Sequence, residues 1–109
     1  GDGETQEGQI WEALMAASYH HVGNLKLIVD RNRIQNDDFV GIQMEIGDVA
    51  SKINSFGWTV REIDGHDMQA IVDALAWAES HDSGPAAIVA HTVKGKGVSF
   101  MEDNPSFHG

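Results

Sequence analysis

Cysteine is absent from the 109 residues. That excludes disulfides, thiolate metal ligands and thiol nucleophiles, and it is compatible with a reducing compartment, so a cytoplasmic location is the expectation. Basic residues are scarce, with seven Lys and Arg against 17 Asp and Glu, a net charge of -10. Nucleic acid and anionic membrane surfaces are therefore poor partners. No apolar run approaches the ~20 residues of a membrane-spanning helix, and no basic, apolar leader is visible. A chain of this length is one domain at most, and 41% hydrophobic residues provide for a core. A strand is lacking where one is expected, because Gly1-Asp2-Gly3 opens the sequence and such a turn ordinarily follows a strand. The chain is therefore expected to be a fragment or trimmed product of a longer polypeptide.

What is present reads as alternating helices and short apolar strands. Glu4 to Val22 carries Ile10, Leu14, Ala17 and His21 at helical spacing, with Thr5 as a candidate cap and Gly23 placed to end the helix. Leu25 to Asp30 is a nearly continuous apolar run, which suits a strand buried on both faces. Arg31 to Glu45 is polar and irregular. Ile46 to Ser55 predicts a second helix with Val49, Ala50 and Ile53 inward, and Gly57 breaks the chain after it. Trp58 to Ile63 predicts a strand, Met68 to Ser80 a helix burying Ile71, Val72, Leu75 and Trp77 or Ala78, and Ala86 to His91 a third strand. A glycine- and lysine-punctuated loop follows Thr92. The alternation predicts an α/β fold with a parallel sheet, right-handed crossovers and flanking helices. Ligands of such sheets bind beyond the carboxyl ends of the strands, where Asp30-Asn32, Asp64-His66 and His91-Lys94 fall.

Asp2 and Asn32 place a carboxylate and a carboxamide on two loops at one edge of that layer. Magnesium takes six oxygens and usually keeps phosphate and water among them. Asp2 can give a carboxylate oxygen, Asn32 its amide oxygen and Ile34 its carbonyl. Gly1 and Gly3 let the backbone approach phosphates without a Cβ. The bland alternative is that Gly-Asp-Gly is only a turn and Asn32 only a loop residue. Glu7 suits the positive end of a helix dipole, and Lys94 and Lys96 suit a solvated loop. His20, His21, His81 and His91 are assigned to no site, since adjacent histidines do not form the i, i+4 pair that a metal favours on a helix. A helix start accounts for His66, and Trp11, Trp58 and Trp77 read as core or interface residues.

Taken together, Gly1-Asp2-Gly3-Glu4-Thr5-Gln6-Glu7-Gly8-Gln9, Asn24 to Ile34, Asp64-Gly65-His66-Asp67, His91 to Gly97 and Phe107-His108-Gly109 resemble transketolase, a family of thiamine diphosphate enzymes. The resemblance covers essentially the whole chain and is less typical at residues 36–45. It implies that residues 1–109 are part of a diphosphate-binding domain, with thiamine diphosphate and Mg2+ or Ca2+ as cofactors and Asp2, Asn32 and Ile34 as metal ligands. Gly1, Gly3 and Lys94 are then cofactor-binding residues, and Glu7 lies near a subunit interface linking two cofactor sites. His108 faces the thiazolium and substrate. The reaction implied is transfer of a two-carbon ketol unit between sugar phosphates, in the pentose phosphate pathway. The partners implied are a pyrimidine-binding domain from a second subunit and a homo-oligomer, expected to be a dimer. The activating glutamate lies in that other domain and has no match here, so the isolated chain is expected to be inactive. Deoxyxylulose phosphate synthase and dihydroxyacetone synthase are sibling alternatives, disfavoured by the Gln6 to Gln9 and Lys94 words. A non-catalytic metal-diphosphate module is the alternative from another class.

Overall fold

The computed structural model describes residues 1–108. Its centre is a parallel sheet of β1 (Lys26–Arg31), β4 (Thr59–Asp64) and β5 (Ala86–His91), ordered β1-β5-β4. Between β1 and β4 lie a two-stranded hairpin, β2 (Ile34–Gln35) and β3 (Asp38–Phe39), and the helices α2 (Val40–Gln43) and α3 (Val49–Ser55). The helix α1 (Gly8–Tyr19) precedes the sheet and α4 (Met68–Ser80) joins β4 to β5. The parallel α/β architecture expected from the sequence is the one observed.

β5 is the last strand in the chain yet the middle strand in space, and it is the one buried on both faces. Its Ala87 and Val89 enter a core with Leu14, Val29, Ile53 and Trp58, while Ile88 meets Ala74 and Ala78 of α4 on the opposite face. The apolar run of β1 does not have the double burial expected of it. β1 is an edge strand, and Ile28 is 58% exposed on the face away from the main core. The apolar stripe of α4 is also narrower than expected. Ala74 and Ala78 are buried and Trp77 packs partly against the same cluster, whereas Val72 and Leu75 stay largely exposed.

The first helix is shorter than the expected Glu4 to Val22. Asp2–Gln6 forms a 3-10 turn, Glu7 is extended (φ -74°, ψ 125°), and only then does α1 begin. Thr5 does not cap α1; its hydroxyl donates to the Asp2 carbonyl at 2.7 Å. The helix ends without using Gly23. His21 takes the left-handed conformation (φ 51°), its N–H donates to Ser18 O, and the Val22 N–H donates to Ala17 O. This is a Schellman stop built on histidine in place of glycine. Elsewhere the local signals hold. Asp48 and Asp67 cap α3 and α4, and Gly57 has φ +92°.

Candidate functional site

The carboxyl ends of β1 and β5 and the 3-10 turn at residues 2–6 border a cavity of about 440 Å³. It is lined by Gly1, Gly3, Glu4, Glu7, Asp30, Asn32, Ile34, Gln35, Asn36, Lys94 and His108. Seven of the eight site residues expected from the sequence therefore meet there: Gly1, Gly3, Glu7, Asn32, Ile34, Lys94 and His108. They come from three segments far apart in the chain. A larger cleft of about 570 Å³ lies between β1 and α4, but Ile28, Leu75, Ala78 and Ile88 make it mostly apolar. Its Lys26 ammonium is spent on the carbonyls of Gly23 and His81.

Each wall has a local cause. The turn at residues 2–6 is fixed by Thr5 on the Asp2 carbonyl, by the Trp11 indole N–H on Thr5 O (2.7 Å) and by the Gln6 amide on Met44 O (2.7 Å). Asn32 forms an Asx turn in which its Oδ1 accepts the Ile34 N–H at 2.9 Å. Arg33 takes φ 65° and Asn36 φ 51° on either side of β2. The hairpin then determines where the Ile34 carbonyl points. Antiparallel pairs alternate between hydrogen-bonded and non-hydrogen-bonded. The Val40 N–H donates to Arg33 O at 2.9 Å, so the neighbouring Ile34–Phe39 pair is the non-bonded kind. The Ile34 C=O is thus turned away from β3 and is not consumed by the hairpin. Lys94 is held because its own carbonyl accepts the Asp103 N–H at 3.0 Å, folding the loop back on itself. Gly95, at φ +77°, sits against the Met101 carbonyl within that fold.

The electrostatics of the cavity are one-sided. Glu4, Glu7 and Asp30 are carboxylates, and Lys94 is the cationic side chain among the lining residues. Lys94 is in no ion pair among the described residues. An anionic ligand would meet a net negative surround here, which a cation beside it would offset. Two buried polar atoms at the cavity, Gln35 Oε1 and His108 Nδ1, have no hydrogen-bond partner among the described residues. A Cβ on Gly3 would stand 2.4 Å from Gln35 Oε1. Unpaired buried polar atoms are rare in finished structures. Together with the outward Ile34 carbonyl and the Asn32 amide, they fit a hard cation and a polyoxygenated anion.

Asp2 is the residue that does not join the others. It is fully buried (0% exposed), its Oδ2 accepts from Arg31 Nη1 at 2.5 Å and from the Arg33 N–H at 3.0 Å, and its Oδ1 accepts from the Gly3 N–H at 3.1 Å. It is not among the residues that line the cavity, although its neighbours Gly1 and Gly3 are. The sequence pattern placed Asp30 and His66 just after strands but gave neither a role in the site, and it gave none to Gln35. The His66 Nε2 accepts the Val93 N–H at 2.8 Å and so anchors the lysine loop. The position of His66 after a strand and the Asp64-Gly65-His66-Asp67 word were its signals in the sequence. Nothing in the local pattern marked Gln35. His91 bridges Arg33 (Nδ1, 2.9 Å) and Glu62 (Nε2, 2.9 Å) and stays outside the cavity.

The fold is a parallel α/β unit that gathers glycines, an amide, a lysine and a histidine at the carboxyl edge of its sheet, where such sheets bind their ligands. Comparison with known proteins gives it a family. The model of the transketolase thiamine diphosphate-binding domain matches residues 1–109, and the chain belongs to that family. Human transketolase is 37% identical over 109 residues, which are 17% of its own length. The 6-deoxy-6-sulfo-D-fructose transketolase subunit SqwG of Clostridium sp. (strain MSTE9) is 39% identical over 108 residues, 39% of its length. Among solved structures, transketolase from Campylobacter jejuni superposes with a TM-score of 0.87 at 32% identity, over 94% of this chain and 16% of that one. A Pichia stipitis transketolase complex with sedoheptulose-7-phosphate gives 0.85 at 30% identity, over 94% and 15%. The chain thus spans well under half the length of these relatives. Among the described residues no helix is long and apolar enough to cross a membrane.

Proposed function

We propose that this chain supplies the metal- and diphosphate-binding part of a thiamine diphosphate site in a protein that transfers a two-carbon ketol unit between sugar phosphates. The observation that carries the proposal is the convergence of Gly1, Gly3, Glu7, Asn32, Ile34, Lys94 and His108 on one cavity. Asn32 Oδ1 and the Ile34 carbonyl are the oxygens that would hold Mg2+ or Ca2+, with Asp2 as the third ligand once its carboxylate is freed. Lys94 lies where it can neutralise diphosphate charge that the metal leaves over. Gly1 and Gly3 admit the phosphates close to the backbone. When bound, thiamine diphosphate supplies the electron sink that ketol transfer requires.

His108 then has a separate task. Its Nδ1 is buried and has no hydrogen-bond partner among the described residues. It can donate to a substrate oxygen or take a proton from it. Glu7, at the start of α1, lines the same cavity and is assigned to the link towards a partner subunit, whose pyrimidine-binding domain would complete the pocket. The sugar-phosphate substrates, the homo-oligomer and a cytoplasmic setting belong to this same reading. Calorimetric titration with thiamine diphosphate tests it. Binding is expected in Mg2+ and lost in excess chelator, and equal affinity in both conditions would overturn it.

A further inference from the structure

Asp2 is the one expected metal ligand that does not line the cavity, and its carboxylate is held by Arg31. Along β1, Leu27 and Val29 point into the main core, and Arg31 continues that face. Its side chain is 12% exposed and places Nη1 on Asp2 Oδ2. The same guanidinium has a second carboxylate within reach, with Nη2 3.6 Å from Glu45 Oε1. Glu45 is exposed and anionic. Its carboxyl is held below the usual range by the Gly47 N–H, with Arg31 adding to the effect. A divalent cation bound to an Asp2 oxygen would sit within a few ångströms of the guanidinium, and two like charges cannot share that oxygen in a desolvated place.

We propose that Arg31 is the resident counter-charge of Asp2, and that it passes to Glu45 when a divalent cation takes the Asp2 carboxylate, so that Arg31 and Glu45 together set the cation affinity of the site. This rests on the reading of the cavity as a metal-diphosphate site. It explains why a buried carboxylate at the cavity's edge is stable before any cation arrives. It also makes Arg31 a positioning residue, since it acts through Asp2 and not on the ligand.

The test is Mn2+ binding to the purified full-length protein, read by paramagnetic resonance of free Mn2+ and by Trp11 fluorescence, since that indole is tied to the same turn. Arg31→Met is expected to tighten Mn2+ binding about tenfold, within the usual range of site-to-site coupling. Its melting temperature should become strongly cation-dependent, because Asp2 then has no other counter-charge. Glu45→Gln removes the receiving carboxylate from an exposed position and is expected to weaken Mn2+ binding severalfold with the melting temperature unchanged. Weakened binding in Arg31→Met at unchanged circular dichroism, to the extent seen in Asp2→Asn, would overturn the proposal. So would wild-type affinity in both variants. If Arg31→Met does not fold with or without Mn2+, Glu45→Gln decides alone, and unchanged affinity there refutes the exchange. A wild-type protein that binds neither Mn2+ nor magnesium-thiamine diphosphate removes the metal-site reading as well. Wild-type binding with two unaffected variants removes only the exchange.

Discussion

Gly3→Ala should separate folding from ligand binding. The added methyl would stand 2.4, 2.7 and 2.8 Å from Oε1, Cδ and Cγ of Gln35, all atoms of one flexible side chain. Gly3 is not among the glycines at positive φ, so alanine meets no backbone penalty. Alanine restricts the unfolded chain, a gain of about 0.4–1 kcal/mol. Displacing Gln35 from its rotamer costs about 0.5–1.5 kcal/mol. It forfeits no hydrogen bond, because Gln35 Oε1 has none to lose. The two contributions nearly cancel, so the melting temperature should move by no more than about 4–8 °C, the shift that ~1 kcal/mol produces in a domain of this size. Binding has no such compensation. The methyl and the displaced amide both enter the 440 Å³ cavity, on the wall where phosphate would approach the backbone. Thiamine diphosphate affinity in Mg2+ should fall at least about tenfold, or ~1.4 kcal/mol. Calorimetry alongside a thermal melt checks both halves. A folded variant with wild-type affinity would refute the placement of the phosphates, and a melting loss well beyond ~8 °C would refute the view that Gln35 yields freely.

Other consequences follow from the same geometry. The isolated chain should show no ketol transfer from xylulose 5-phosphate to ribose 5-phosphate in a coupled assay with cofactor and Mg2+ in excess, because half a site cannot position the reactants; turnover that disappears in His108→Ala would contradict this. Among the described residues the outer edge of β1 is unpaired, and one face of that strand exposes Ile28, so the chain should self-associate or be only marginally stable; a sharp monomer at high concentration in sedimentation, with cooperative unfolding, would argue otherwise. Trp58 is 3% exposed and its indole N–H donates to Leu14 O at 3.0 Å, tying the start of β4 to α1. Trp58→Phe should therefore lower stability by about 1–3 kcal/mol, and denaturant midpoints unchanged from wild type would show that this bond carries nothing.

Elements whose signals are local were legible along the chain. α4 runs over Met68–Ser80 and β5 over Ala86–His91, as the 3.6-residue and continuous apolar patterns require. Asp67 caps α4, and Gly57 turns the chain at positive φ. The short words at the two ends of the chain and after Asn24 were enough to indicate the family, because glycines, an acid, an amide and a histidine at those spacings rarely coincide. What the sequence could not determine depends on which strands become neighbours. An apolar run reads alike in a central strand and an edge strand, so the burial of β5 and the exposure of Ile28 were decided by the order β1-β5-β4. The outward turn of the Ile34 carbonyl came from the alternation of a hairpin that the polar stretch 31–45 did not announce. The union of Asp2 with Arg31, 29 residues apart, came from the face on which β1 presents its last side chain. Spacing along a chain fixes which groups are available, and only packing fixes which charges meet, because a buried carboxylate takes whichever cation the fold brings to it first.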